Sequence, residues 1–478
     1  MAETNDKKAA KAGIGYTLGN ILLRGISVIS APLFGRFIFS VQDNGAYSIF
    51  QAYYSMIYLF LGLALHTSLK NAKNDYKEKL QQYSADLLLL IGINSLICLG
   101  VFTLFSNSLF AVMKLNKMIM LYLVIVESFV LAIITYYNSY LSVDYNYKEY
   151  IVVSVIYSVS TLIFSVILIF TLFDDERYMG RIVGTLIPGV AICIYIIGSI
   201  WKKARPRINI ANYKYALKLS LPIVPHGVSQ ILLSQFDRLM INSHYGEYET
   251  GLYSFAYTVG STFMIISTSL DTSWTQWLFD KMNDKEKNLP KIKKVTDVYV
   301  AGMAILACAM LLVGPELMLI LGGRKYEEGI IAVFPITMSM FFAFLYNIPA
   351  AIEYYYKKTG FIAVGTVLAA ILNIVLNIIF IPRYGYVAAA YTTLACYLFY
   401  YFIHLFISNR IYGGFMFNML PQIISSIAVV IMGLIAILLK DNMIVRWAML
   451  ILLVAVTAIF KGKEIYRIGY GIFAKKEK

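Results

Sequence analysis

Residues 118–141 read MIMLYLVIVESFVLAIITYYNSYL, and Glu127 is the only formally charged side chain among them. At about 1.5 Å per residue, a helix of that length crosses the ~30 Å hydrocarbon core of a bilayer. Runs of the same kind recur outward to both ends of the chain. They predict helices over 14–40, 45–66, 83–106, 118–141, 150–172 and 180–201. A basic segment, Trp201-Lys-Lys-Ala-Arg-Pro-Arg207, then interrupts the pattern. Further helices are expected over 214–242, 251–277, 294–321, 330–356, 361–381, 386–408, 415–439 and 443–461. The expected fold class is an all-α integral membrane protein with about 14 transmembrane helices.

Composition agrees. The 478 residues are 59% hydrophobic and 14% charged, with a mean hydropathy of +0.68. Soluble domains carry about 25% charged residues, so this chain has too little polar surface to face water. The net charge of +14 would suggest nucleic acid in a soluble protein. Here the Lys and Arg residues cluster at one set of helix ends, so no nucleic-acid partner is expected. Cys98, Cys193, Cys308 and Cys396 lie in apolar runs without metal-ligand spacing, and read as small buried side chains. The start lacks a cleavable signal pattern, so the first apolar run is expected to remain as a helix.

Counted over alternate helix ends, 28 Lys and Arg fall on one side and 8 on the other. The positive-inside rule then puts both termini in the cytoplasm and makes the helix count even. No outward connection exceeds about a dozen residues, which leaves no room outside for the catalytic loop of a polymerase or ligase.

The two halves resemble each other. Asn44-Gly-Ala-Tyr-Ser48 opens one helix and Thr250-Gly-Leu-Tyr-Ser254 opens another, with Gly45 and Gly251 206 apart. Gly35-Arg36 corresponds to Asp237-Arg238, and Tyr178-Met-Gly180 to Arg383-Tyr-Gly385. With six helices per copy, this is a parallel repeat about an axis along the bilayer normal, a pattern of transporters. The expected organisation is a cytoplasmic N-terminus (1–13), a first six-helix bundle (14–201) and a basic cytoplasmic linker (202–213). A second six-helix bundle (214–408), an additional helix pair (409–461) and a cytoplasmic tail (462–478) follow.

Leu219-Ser-Leu-Pro-Ile-Val-Pro-His226, Phe236-Asp-Arg-Leu-Met240 and Gly251-Leu-Tyr-Ser-Phe-Ala-Tyr257 together resemble the second-half signature of Wzx-type polysaccharide flippases. Gly45-Ala-Tyr-Ser-Ile49, and Asn377 followed by Ile381-Pro-Arg-Tyr-Gly385, are similar to other segments of that family. The resemblance runs from about residue 12 to 460 and rests on order and spacing. It implies the multidrug/oligosaccharidyl-lipid/polysaccharide exporter superfamily: two bundles around a central cavity that opens alternately to each side. The implied cargo is a polyprenyl-diphosphate-linked oligosaccharide moved from the cytoplasmic to the outer leaflet of the cell membrane. Membrane lipids, a polysaccharide polymerase and glycosyltransferases are the implied partners.

A charge in the membrane costs ~2.5–3.5 kcal/mol on insertion scales, so each needs a reason. Thr17, Asn20, Arg24 and Ser27 form one polar stripe on the first helix. Arg24 is expected to meet a diphosphate or acidic sugar, or else to pair with Asp86 or Glu127. Arg36 and Arg238 sit at repeat-related outer ends and either line the cavity or snorkel. Asn373 and Asn377, one turn apart, either contact sugar hydroxyls or bond helix to helix. His226 and Asp237 share a face and are candidates for coupling, with Pro222 and Pro225 making a bend that serves as a gate. Asp271, among Ser267, Thr268, Thr272 and Thr275, suggests a polar lumen. The 38 tyrosines suit sugar rings or interfacial belts.

No cofactor, metal or hydrolytic motif is present: there is no HExxH, GxSxG or P-loop. The expectation is therefore a non-enzymatic transporter driven by an ion gradient or the membrane potential. Three other readings are a cation-coupled multidrug exporter of the same superfamily, a lipid-linked peptidoglycan precursor flippase, and a membrane glycosyltransferase or polymerase.

Overall fold

The computed structural model describes Gly19, Ile26, residues 29–76 and residues 79–473, with side chains through Ile459. Every regular element among the described residues is helical. The chain divides into two compact units, Met1–Gly251 and Leu252–Lys478.

The first unit contains α1 (Ile29–Ile38), α2 (Val41–Gly62), α3 (Leu65–Tyr76), α4 (Leu80–Leu104) and the short α5 (Ser106–Met113). It continues with α6 (Met118–Val143), α7 (Tyr147–Thr171), α8 (Arg177–Lys203) and α9 (Ile210–Tyr245). α10 (Glu247–Met282) begins in the first unit and runs on in the second. There follow α11 (Lys285–Gly322), α12 (Arg324–Tyr355), α13 (Thr359–Tyr384), α14 (Tyr386–Tyr412), α15 (Met419–Leu438) and α16 (Met443–Phe473). Ten of these helices are long and apolar enough to cross a membrane, or eleven if the bent pair α2–α3 is one span. α10 is not among them, because its serines and threonines dilute its hydropathy.

In the first unit α6 is the central helix, with α2, α4 and α8 packed around it. Tyr83, Tyr136 and Tyr137 are fully buried there, so these tyrosines are core, not interfacial belt. In the second unit α12 is central, with every residue of 332–345 buried beneath α11, α14 and α15.

The helices differ from the expected ones at their ends, for local reasons. α2 starts at Val41, four residues before its expected start, because Ser40 and Asp43 form a capping box that draws polar residues into the first turn. Residues Leu63 and Ala64 both take left-handed conformations, and the chain turns by 51° into the hydrophilic α3. Two carbonyls freed at that break, those of Phe60 and Leu61, accept from the Asn94 amide at 2.8 and 2.9 Å. α10 and α11 extend past their apolar stretches into charged turns on either side of residues 283–284.

Two repeat-related glycines meet. A Cβ added to Gly45 would lie 1.9 Å from the Glu247 carbonyl oxygen, and one added to Gly251 would lie 2.0 Å from that of Val41. Asn44 donates to the Gly251 carbonyl at 3.1 Å. Backbones approach this closely in membranes because small residues, and not hydrophobic pressure, hold helices together. Overpacking a core costs ~1–3 kcal/mol, and here the obstruction is backbone. Gly45→Ala and Gly251→Ala should each lower the thermal unfolding midpoint in detergent, whereas Gly92→Ala, with open space around it, should not. Equal midpoints for all three variants would show that the crossing is slack.

Candidate functional site

α10 brings Asp271, Thr272, Thr275 and Gln276 to one face. α12 opposes them with Asn347, Ala350, Ala351 and Tyr354, and the two helices line a cavity of about 340 Å³ within the second unit. Asp271 Oδ1 is buried and has no hydrogen-bond partner among the described residues. A carboxylate with an open oxygen, beside two amides, hydroxyls and a phenol, suits a group that brings its own hydrogens: a sugar hydroxyl, an ammonium or a proton.

Six hydroxyls of the helix that carries this face are satisfied by its own backbone. Thr258, Ser261, Thr262, Thr268, Ser269 and Thr272 each donate to a carbonyl one turn back in α10, at 2.6–3.0 Å. Trp274, on the same helix, is buried and stacks 5.6 Å from Tyr299.

Behind α12 lies a second polar group. Glu353 and His404 of α14 are fully buried, with His404 Nδ1 2.7 Å from Glu353 Oε1. A second ion pair ties α16 to α11: the buried Arg446 donates to both oxygens of the partly buried Glu316 at 2.7 Å, and to the carbonyls of Leu312 and Leu439.

The first unit holds a guanidinium of a different kind. Arg181 lies 3.6 Å from the ring centre of Phe34 and 4.5 Å from that of Tyr47, with Phe39 at 5.8 Å. No carboxylate pairs with it among the described residues, whereas its neighbour Arg177 is held by Asp174 and the Ile38 carbonyl. Ring faces leave the N–H edge of a guanidinium available.

The sequence-predicted residues are distributed as follows. Thr17, Asn20, Arg24 and Ser27 lie outside the described residues. Asp86, one proposed partner of Arg24, accepts from Gln82, from the Arg207 backbone and from Asn212, at 2.7–2.9 Å. It fastens the basic segment 204–209 to α4. Arg36 is exposed and 5.7 Å from the Phe37 ring. Arg238 is buried and donates to the Ser234 carbonyl at 2.6 Å, so it does not snorkel. Asp237 is fully buried beside it.

Pro222 falls in a 3₁₀ turn, Leu221–Ile223, and Pro225 in the helical turn after it. These two turns join the halves of α9. His226 is half-buried there, with Nδ1 unpartnered among the described residues. Asn373 and Asn377 are fully buried: the Asn377 amide donates to Asn373 at 3.1 Å, and Thr392 of α14 donates to Asn377 at 2.5 Å. The bond from Thr392 joins α14 to α13.

Sequence reasoning missed two pairings. Glu316 and Glu353 were visible as charges in apolar runs, but nothing in their surroundings pointed to Arg446, 130 residues on, or to His404, 51 residues on.

A family described as polysaccharide biosynthesis protein matches residues 9–275, more than half of the chain. The chain belongs to the polysaccharide biosynthesis protein family. No curated protein sequence matches it. Among solved structures, this family member is similar to the lipid II flippase MurJ in its inward closed conformation. That match has a TM-score of 0.72 and 15% identity, and covers 95% of this chain and 100% of the other. An inward-facing multidrug-resistance MATE transporter of the MOP superfamily gives 0.62 at 14% identity, over 81% of this chain and 98% of that one. A Vibrio cholerae MATE transporter, VcmN, gives 0.58 at 14% identity, over 86% and 98%. The polysaccharide biosynthesis protein thus has the fold of the flippases and exporters of that superfamily, and is a multi-pass membrane protein.

Removing one partner of a buried ion pair costs ~3–5 kcal/mol, while replacing both with apolar groups of similar volume is often neutral. Arg446→Ala should therefore depress the unfolding midpoint strongly, and the double variant Glu316→Met with Arg446→Met should recover most of the loss. A single variant as stable as the parent would show that the pair does not anchor α16.

Proposed function

We propose that this chain is a flippase that moves a polyprenyl-diphosphate-linked oligosaccharide from the cytoplasmic to the outer leaflet of the cell membrane. It works by alternating access coupled to an ion gradient. One observation carries the reading: a member of a polysaccharide biosynthesis family has no connection between described helices longer than six residues. A glycan-polymerising or ligating enzyme needs catalytic groups in water, and there is no loop here to hold them. The polar side chains around Asp271 line a cavity between two helices instead.

In this reading fourteen helices form two six-helix bundles and an additional pair, with both termini cytoplasmic. Arg24, Arg36 and Arg238 meet the diphosphate, and Asn20 lies on the stripe that carries Arg24. The polar wall of the Asp271 cavity meets sugar hydroxyls or the coupling ion. His226, Asp237 and the proline-broken turn of α9 gate the passage. A polysaccharide polymerase and glycosyltransferases act before and after it on the same lipid carrier. A second reading, a cation-coupled multidrug exporter, is favoured by the carboxylate in the cavity. Deleting the gene separates the two: loss of surface polysaccharide supports the flippase, and sensitivity to cationic drugs with intact polysaccharide overturns it.

The residue-level tests are as direct. Arg24→Ala should abolish surface polysaccharide in cells where the variant is inserted at normal levels. Arg24→Lys should restore only part, because an ammonium cannot reproduce the guanidinium fork. Normal export by the alanine variant removes Arg24 from the site. For topology, Ile208→Cys and Asn283→Cys, in a background lacking the four native cysteines, should resist an impermeant thiol reagent in intact cells and react once the cells are opened. Labelling in intact cells would invert the orientation.

A further inference from the structure

Glu353 and His404 are the most deeply buried titratable pair in the second unit, both fully excluded from solvent. Carboxylate–histidine chains at membrane depth are rare and mark proton paths in pumps and transporters. Position matters here. On α12 the residues that line the cavity, Asn347, Ala350, Ala351 and Tyr354, follow helical spacing. Glu353 projects about 110° around from their mean direction, toward α14. The pair therefore stands in the wall behind the Asp271 cavity.

Its surroundings are aromatic. The His404 ring centre is 4.5 Å from that of Tyr400 and 5.6 Å from that of Tyr346. The Tyr346 ring centre is 4.4 Å from that of Tyr400, and Tyr400 is hydrogen-bonded to Thr366 of α13 at 2.7 Å. The other titratable groups near the pair are Tyr346, Tyr354 and Asp271. No Lys or Arg side chain bonds to either member among the described residues. A metal ion would need several oxygens, and no group of three metal-binding side chains occurs among the described residues. The only ion this pair suits is a proton.

One hydrogen bond joins the pair, and two atoms are left over. Glu353 Oε2 and His404 Nε2 are both buried without partners among the described residues. Buried polar atoms left this way need an explanation. Gly365 of α13 faces one of them: a Cβ there would sit 2.9 Å from Nε2, so the missing side chain keeps that nitrogen uncovered. With one proton shared between Oε1 and Nδ1 the pair is neutral as a whole and tolerates burial. Losing that proton would strand a carboxylate, and gaining a second would strand an imidazolium.

We propose that Glu353 and His404 form a proton-binding site that couples transport to the proton gradient. The pair takes one proton from the outer side and releases it to the cytoplasm in each cycle, as cargo moves outward. This rests on the transporter reading and names its coupling ion. The proton binds the carboxylate–imidazole pair and leaves it unchanged, so no other bond is made or broken.

The test uses the full-length protein in vesicles of phosphatidylethanolamine and phosphatidylglycerol. The probe is a fluorescent short-chain polyprenyl diphosphate N-acetylglucosamine. A proton gradient should accelerate probe movement by the parent. Glu353→Gln and His404→Gln should lose that acceleration while still binding the probe. The double variant Glu353→Gln with His404→Gln retains an amide–amide hydrogen bond, so it keeps the fold with nothing left to titrate. It should behave like the single variants.

Independently of any cargo, infrared difference spectra across a pH step should show a carboxyl band and a histidine ring band that appear together. Either substitution should remove both. If the variants keep full acceleration, or if both bands persist in Glu353→Gln, the proposal is overturned. If the parent shows the paired bands yet moves no probe, the proton site stands and the cargo assignment fails.

Discussion

A peptide group in the middle of a bilayer has no water to turn to, and each one left unpaired costs several kcal/mol. That requirement forces the whole chain into helices and makes every interruption informative. At Leu63–Ala64 the chain turns without glycine or proline, and an amide from α4 takes over the duty of water. At the prolines of α9 the break is softened into a 3₁₀ turn, and Ser229 donates to the Pro225 carbonyl. In α10 Thr258, Thr268 and Thr272 satisfy their own hydroxyls against the backbone. Asp271, His226, Glu353 and His404 are titratable groups with a buried polar atom left without a partner among the described residues.

The second constraint is how helices hold each other when lipid is as apolar as they are. Two solutions recur. One is bare backbone contact, at Gly45 and Gly251, where the repeat brings its own equivalent residues together. The other is a small number of strong polar bonds between distant helices: Glu316 to Arg446, Asn377 to Thr392, Asp86 to the 204–209 segment. Each is desolvated, so each is specific and intolerant of losing one member.

The fold was largely legible because its signal is one-dimensional: uninterrupted apolar length needs no knowledge of neighbours. The matching short strings around Gly45 and Gly251 were legible for a related reason, and the structure brings those two glycines together. What the sequence concealed was pairing. Glu353 sits among tyrosines that look like an interfacial anchor, and its partner His404 looks like one more lone histidine. Asn373 and Asn377 carry equal credentials as sugar ligands and as helix glue, and only their distances to each other and to Thr392 separate the two. The bend at Leu63–Ala64 was hidden because neither residue is a usual breaker, and the left-handed conformation there is imposed by tertiary contacts.

The polarity of α10 has a consequence for how the protein is made. A segment enters the bilayer from the translocation channel according to its hydrophobicity, and α10 falls short of the length-and-hydropathy standard that ten other helices meet. Its hydroxyls bond internally only once the helix exists, its Trp274 is buried against protein and its Asp271 lines a cavity. On hydropathy alone α10 is favoured less for insertion than those ten helices, so the helix that supplies one wall of the cavity depends most on packing against its neighbours for its place.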